Sequence, residues 1–210
     1  MTPLLTQYRP MSDAPHVFVL QPHPATPVAP TRVAAVQAHL RVEDGCRLQL
    51  RYTLTGDVAA LLVPPRAAQP AATDGLWKHT CFELFIGHGR APAYREFNFS
   101  PSGDWAVYDF SAERVRAPQP VGAMAPRIAC TVTATALQLD VDLTTGAEAL
   151  ASADALIGLT AVLESQDGAL SYWAVQHPCA QPDFHHRGGW VVPSANSTIH
   201  NQIGCQRCKD

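Results

Sequence analysis

What most constrains this chain is a two-residue rhythm, broken at short intervals by turn signals. Residues 33–42 (VAAVQAHLRV) and 46–54 (CRLQLRYTL) alternate apolar and polar side chains around Asp44-Gly45. Residues 156–164 and 170–176 repeat the pattern around Asp167-Gly168. Alternation puts successive side chains on opposite faces of a strand, and Asp-Gly supplies the positive φ angles of a tight hairpin turn. Further strands are expected at 17–20, 79–86, 94–100, 104–110, 127–134 and 137–143. Eighteen prolines and thirteen glycines separate these runs, which favours strands over helices. The expectation is an all-β protein of about ten strands, an antiparallel β-sandwich. Residues 59–75 read as a long loop, and TGAEALASADAL from residue 145 reads as one short helix.

A length of 210 residues suits one such domain. Residues 1–30 read as an N-terminal strand and a proline-rich connector packed on it, 31–193 as the sandwich, and 194–210 as a polar, flexible tail. The formal charge is −3 and no basic block occurs, which argues against nucleic-acid or anionic-membrane partners. No apolar run approaches the ~18 residues of a membrane span, and no secretory leader is visible, so the cytoplasm is the expected compartment. Buried free thiols are then the expected state of the scattered cysteines. Cys205 and Cys208 form a lone CxxC in the tail, too few ligands for a structural zinc site.

The stretch 94–110, YREFNFSPSGDWAVYDF, carries the functional question. With Ser102-Gly103 as a two-residue turn, Glu96 faces Asp109, Asn98 faces Val107 and Ser100 faces Trp105. Phe97, Phe99, Tyr108 and Phe110 then share the other face. Adding 79–86 with Phe82 opposite Phe97 places Glu83 opposite Glu96. One face of three strands would thus collect His79, Glu83, Glu96, Asn98, Trp105 and Asp109. Like charges directly opposed on a sheet destabilise it. Water on an open face, a shared proton, a bound cation, or one of Lys78, Arg95 and Arg187 could relieve them.

The strings LWKHTCFELFI, YREFNFSPSGDWAVYDF, GLTAVLESQDGALSYWAVQHP and PDFHH resemble bacterial DOMON-like proteins, which are related to type 9 carbohydrate-binding modules. The resemblance runs over roughly residues 30–190. It implies a jelly-roll-like β-sandwich with a ligand face, associated across the superfamily with sugars or with haem.

The expected function is non-catalytic binding of a small polar ligand, a saccharide or a sugar derivative. Trp77 and Trp173 would supply flat apolar rings, while Glu83, Glu96 and Asn98 would take the hydroxyls. Lys78, Trp105 and His177 complete the ligand-binding set; no catalytic or metal-binding residue is assigned. Three other readings stand beside it: a protein-interaction sandwich with no small ligand, haem binding, and a glycosidase built on the two carboxyls. Calcium and haem both stay open as cofactors, since no motif specifies either. His177, Asp183, His185 and His186 cluster in HPCAQPDFHH. The expected role of that segment is a loop closing over the sheet with Phe184 as its plug.

Overall fold

The structure, a computed structural model, describes residues 15–26, 33–43, 47–118, 124–145, 150, 152 and 154–193. Among the described residues eleven strands follow one another: β1 (His16–Pro22), β2 (Val33–Val42), β3 (Arg47–Gly56), β4 (Cys81–His88), β5 (Tyr94–Phe99), β6 (Trp105–Ala112), β7 (Val115–Arg116), β8 (Arg127–Val132), β9 (Ala136–Thr144), β10 (Ala155–Glu164) and β11 (Leu170–Ala174). All pair antiparallel in one continuous order, β7-β6-β5-β4-β10-β11-β1-β2-β3-β9-β8. The all-β expectation holds. The expected helix does not: Thr145, Leu150, Ser152 and Asp154 are not helical, Ala155 and Leu156 already belong to β10, and the rest of that stretch lies outside the described residues. The tail from residue 194, with Cys205 and Cys208, lies outside them too. Among the described residues, no helix is long and apolar enough to cross a membrane.

The alternation explains the packing. Phe18 and Leu20 on β1, Leu48 to Leu54 on β3 and Leu137 to Leu143 on β9 turn the same way as Phe82, Leu84, Phe97 and Leu159 from the other half of the sheet. All belong to one core, so the sheet folds over on itself around it. Tyr52 ties the halves directly: its ring lies 5.0 Å from that of Phe82, and its hydroxyl donates 2.5 Å to the Glu83 carbonyl.

β4 departs from simple alternation. Seven of its eight residues are buried, because its other face is covered as well. A second, smaller apolar cluster sits there: Phe85, Tyr94, Ala106, Tyr108, Phe110 and Trp190. The face expected to be polar is therefore half aromatic.

The hairpin register explains why. Phe99 pairs with Trp105, Phe97 with Val107, Glu96 with Tyr108 and Arg95 with Asp109. This is one residue away from the register expected above. The loop is not a two-residue turn. Gly103 N–H donates to Ser100 O, Ser100 N–H donates to Asp104 O, and Gly103 has φ +91°. That is a type I turn followed by a left-handed glycine, the three-residue loop with a bulge. The β10–β11 hairpin does the same with Ser165, Gly168 (φ +80°) and Ala169, and Trp173 pairs with Ala161. A one-residue slip turns every side chain of a strand over.

Candidate functional site

The second face holds an open cavity of about 390 Å³. Its floor comes from β4, β5 and β10, its far wall from Tyr172 on β11, and its cover from Pro182, Phe184 and His185. Trp77 stands at one side beside Arg114 and Arg116.

The floor is built on two carboxyls. Glu83 is 2 % exposed and Glu96 is 5 % exposed. They are not directly opposed, as expected from sequence, but diagonal: Glu83 pairs with Asn98 across β4–β5, and Glu96 pairs with Phe85. Arg95 does not relieve them, because it forms a two-armed ion pair with Asp109 (2.6 and 2.9 Å). Arg187 donates to the carbonyls of Gly89 (3.1 Å) and Ala93 (2.9 Å). Neutral groups hold the carboxyls instead. Asn98 Nδ2 donates 2.5 Å to Glu96 Oε1, and Thr160 Oγ1 donates 3.0 Å to Glu83 Oε2. Beneath them the Cys81 thiol donates 3.5 Å to Asn98 Oδ1.

Burial disfavours charge on both acids. The Glu96 carboxyl is pushed up to about 7, foremost by desolvation, against opposing pulls from the Asn98 bond and from Arg116 and Arg114. Glu83 is raised by desolvation and then by the Glu96 charge, while the Thr160 bond lowers it. The Glu83–Glu96 pair therefore holds a proton near neutral pH.

His185 sits above them. Burial and then Arg114 hold its imidazole down to about 4, so it is neutral at pH 7. Its Nδ1 lies 2.7 Å from the Tyr94 hydroxyl, which accepts a bond from Arg114 N–H at 3.1 Å. The other ring nitrogen, Nε2, lies 3.9 Å from Glu96 Oε2.

The arginines are held from outside. Arg114 reaches Asp183 at 2.7 Å. Arg116 lies 3.7 Å over the Tyr108 ring and 3.5 Å from Asp74, whose carboxylate also accepts from Tyr108 at 2.5 Å. Tyr108 in turn meets the Trp77 ring edge-on at 5.6 Å, which keeps that indole at the rim.

The cover is anchored by Trp190. Its indole N–H donates 2.9 Å to the Phe184 carbonyl, and its ring stacks on Phe85 at 5.6 Å. Two strand glycines make the room. A Cβ on Gly158 would come within 2.8 Å of Trp190 Cδ1 and Nε1, and one on Gly87 within 2.9 Å of its Cζ3. Glycine inside a strand marks such a close approach. Gly158→Val is expected to lift Trp190 and with it Phe184 and His185, at a cost of about 1–3 kcal/mol from overpacking. Urea melts read the loss of stability, and a red-shifted tryptophan emission reads the exposed indole.

Of the sequence-predicted residues, Trp77, Glu83 and Glu96 line the cavity, and Asn98 lies directly under Glu96. Trp173 and Trp105 do not. Trp173 is 4 % exposed in the main core, its indole N–H bonded to Ser171, and Trp105 packs against that core from the opposite face of β6. Asp109, Tyr108 and Phe110 also change faces with the register. Lys78 is exposed, folded over Gly75, and does not line the cavity. His79 points to solvent and pairs with Glu164 at 2.8 Å. His177 donates to or accepts no group of the floor; its Nε2 lies 2.8 Å from Gln21 O. His186 is used within its own loop, its Nδ1 accepting from Gly188 N–H at 3.1 Å. Among the described residues, no group of three or more His, Cys, Asp or Glu side chains could hold a metal ion.

Arg114, Arg116, Tyr172 and His185 are among the lining residues that the sequence did not assign to the site. Arg114 carried a signal only in its backbone, a non-glycine φ of +58° that turns β6 back into β7.

The fold has a solved counterpart. A Bacteroides uniformis protein described as a "putative carbohydrate-binding protein" matches with a TM-score of 0.58, over 84 % of this chain and 84 % of its own, at 13 % sequence identity. At that identity the likeness is one of fold. No protein-family model and no curated protein matches the sequence.

Proposed function

We propose that the cavity binds a small polar ligand of the saccharide class and does not transform it. The observation that carries this reading is one space lined both by an indole at its rim and by two buried carboxyls at its floor. Flat rings cover the C–H face of a pyranose, and carboxyls accept or donate to its hydroxyls. The fold likeness to the Bacteroides protein supports the class. So does the resemblance of the sequence to DOMON-like proteins and type 9 carbohydrate-binding modules.

A glycosidase reading has less support. Its two carboxyls must flank the scissile bond, whereas Glu83 and Glu96 rise side by side from neighbouring strands of one floor.

Trp77 is the one tryptophan of the four that lines this space, so it is the natural reporter. Titration with mono- and disaccharides, with and without calcium, is expected to give a saturable change in tryptophan emission. Trp77→Ala should abolish the change and weaken binding by about tenfold. Trp173→Phe should leave the response intact. A folded protein that responds to no sugar would overturn the proposal.

A further inference from the structure

We infer that the ligand of this cavity carries a cationic group, a protonated amine as in an amino sugar, seated between Glu83 and Glu96. The inference rests on the saccharide reading and names its class more narrowly.

The argument starts from unused bonding capacity. Each carboxyl spends one oxygen on a neutral partner inside the sheet, Asn98 for Glu96 and Thr160 for Glu83. The second oxygens line the open space. Glu96 Oε2 has His185 Nε2 3.9 Å away, beyond hydrogen-bond reach. No hydrogen bond to Glu83 Oε1 is formed among the described residues. These are polar side chains more than nine-tenths buried, aimed into a cavity.

The other charged groups at the site do not supply the missing cation. Arg114 is drawn outward by Asp183 and Arg116 by Asp74 and the Tyr108 ring. His185 is neutral at pH 7. Tyr94 and Tyr108 are raised above their usual range and Cys81 well above its own, so all three are neutral too. With both glutamates ionised, their two charges face guanidiniums that are already paired with Asp183 and Asp74. Most of the rest of the lining is aromatic: Trp77, Phe85, Phe110, Tyr172 and Phe184, with Val162 and Pro182 between them. Aromatic faces beside desolvated carboxylates are the surroundings that favour an ammonium group. A neutral polyol would leave the pair sharing its proton; an ammonium would displace that proton and pair with both oxygens.

The test is calorimetric titration of the full-length chain at pH 7 with glucose, glucosamine and cyclohexylamine, each in two buffers of different ionisation enthalpy. Glucosamine is expected to bind about tenfold tighter than glucose and to release up to one proton, seen as a buffer-dependent heat. Glu96→Gln and Glu83→Gln should cut that preference severalfold and shrink the proton release. Binding of cyclohexylamine with proton release, but of neither sugar, would uphold the cation site and overturn the saccharide reading. Glucose binding as tightly as glucosamine, with no proton release, would overturn the cation site and leave the saccharide reading standing. Binding of none of the three would overturn both.

Discussion

Trp190→Ala is expected to be the most damaging single substitution on the cavity side, costing about 3–5 kcal/mol in denaturant unfolding. The ring is 6 % exposed and at the centre of the second cluster. It stacks on Phe85, meets Tyr94 edge-on at 5.2 Å, and lies in van der Waals range of the bare backbones of Gly87 and Gly158. Those glycines cannot close the space from below, so the void persists, and a persistent void sets the upper end of such losses. The substitution also releases the Phe184 carbonyl from its indole partner. Phe184 and His185 form the cover, so a folded Trp190→Ala protein should bind ligand more weakly as well as melt earlier. Trp190→Phe separates the two effects. It refills most of the volume without restoring the N–H donor, so most stability should return while the binding defect persists. A Trp190→Ala protein within 1 kcal/mol of the parent, an effect as small as that of an ordinary surface change, would contradict the packing described.

The second large effect is in the pH dependence of stability. The Glu96 carboxyl goes from an ordinary 4.5 to about 7 on folding. Above pH 4.5 the unfolded chain ionises this group and the folded chain resists doing so. The folded state therefore loses stability as pH rises through that window, and the loss is complete above about pH 7. For a group this deeply buried the loss is on the order of 3 kcal/mol by pH 8. Glu83, also raised, acts in the same direction. His185 acts oppositely. Its folded value lies near 4 against an ordinary 6.5, so it costs stability as pH falls through 6.5 toward 4. The carboxyl and imidazole slopes therefore oppose one another between about pH 4.5 and 6.5, and above that window only the carboxyl loss remains.

Glu96→Gln keeps an oxygen for Asn98 and cannot ionise. Its stability relative to the parent should rise from near zero at pH 4.5 to about 2–3 kcal/mol at pH 8. The alkaline slope shortens without vanishing, because Glu83 still titrates, now with no charged neighbour to hold its pKa as high. Urea midpoints at four pH values read this directly. Parallel curves for parent and variant would mean that Glu96 is not held in a dry, proton-sharing site.

Much of this fold is legible in the sequence, and the failures are local and share a cause. The alternation of 33–42 around its turn, of 127–134 and of 137–143 places β2, β8 and β9 within a few residues of where they lie. Glu83, Glu96 and Asn98 are correctly grouped, because a two-residue error in pairing β4 with β5 leaves the faces unchanged. The one-residue errors are different. SPSGD and SQDGA each contain a Gly that invites a two-residue turn, yet each folds as a type I turn with that glycine left-handed behind it. The extra residue moves Trp105 and Trp173 from the ligand face into the core side, and brings Tyr108 and Phe110 out to the cavity side. Both loops begin with serine three residues before the glycine, and in 100–104 the Ser100 and Ser102 hydroxyls bond the turn, so that spacing was the available sign.

Arg114, Arg116 and His185 could not have been read this way. They reach the cavity from a reversal and a loop, where periodicity carries no information. Gly87 and Gly158 did carry a signal, being glycines inside strands, but the ring that needs them is 32 residues beyond the second.

The strand order has a consequence for how the chain can be made. β1, β2 and β3 can pair as soon as they leave the ribosome, and so can β4 through β7, since each is followed by its neighbour. Neither group can join the other directly. β3 waits for β9, β4 waits for β10, and β1 meets the rest only through β11, about 150 residues later. Two hairpin sheets with bare edges therefore coexist until the final quarter of the sequence arrives. The last hairpin made is then the seam that closes the protein, and it brings the back wall and the cover of the cavity with it.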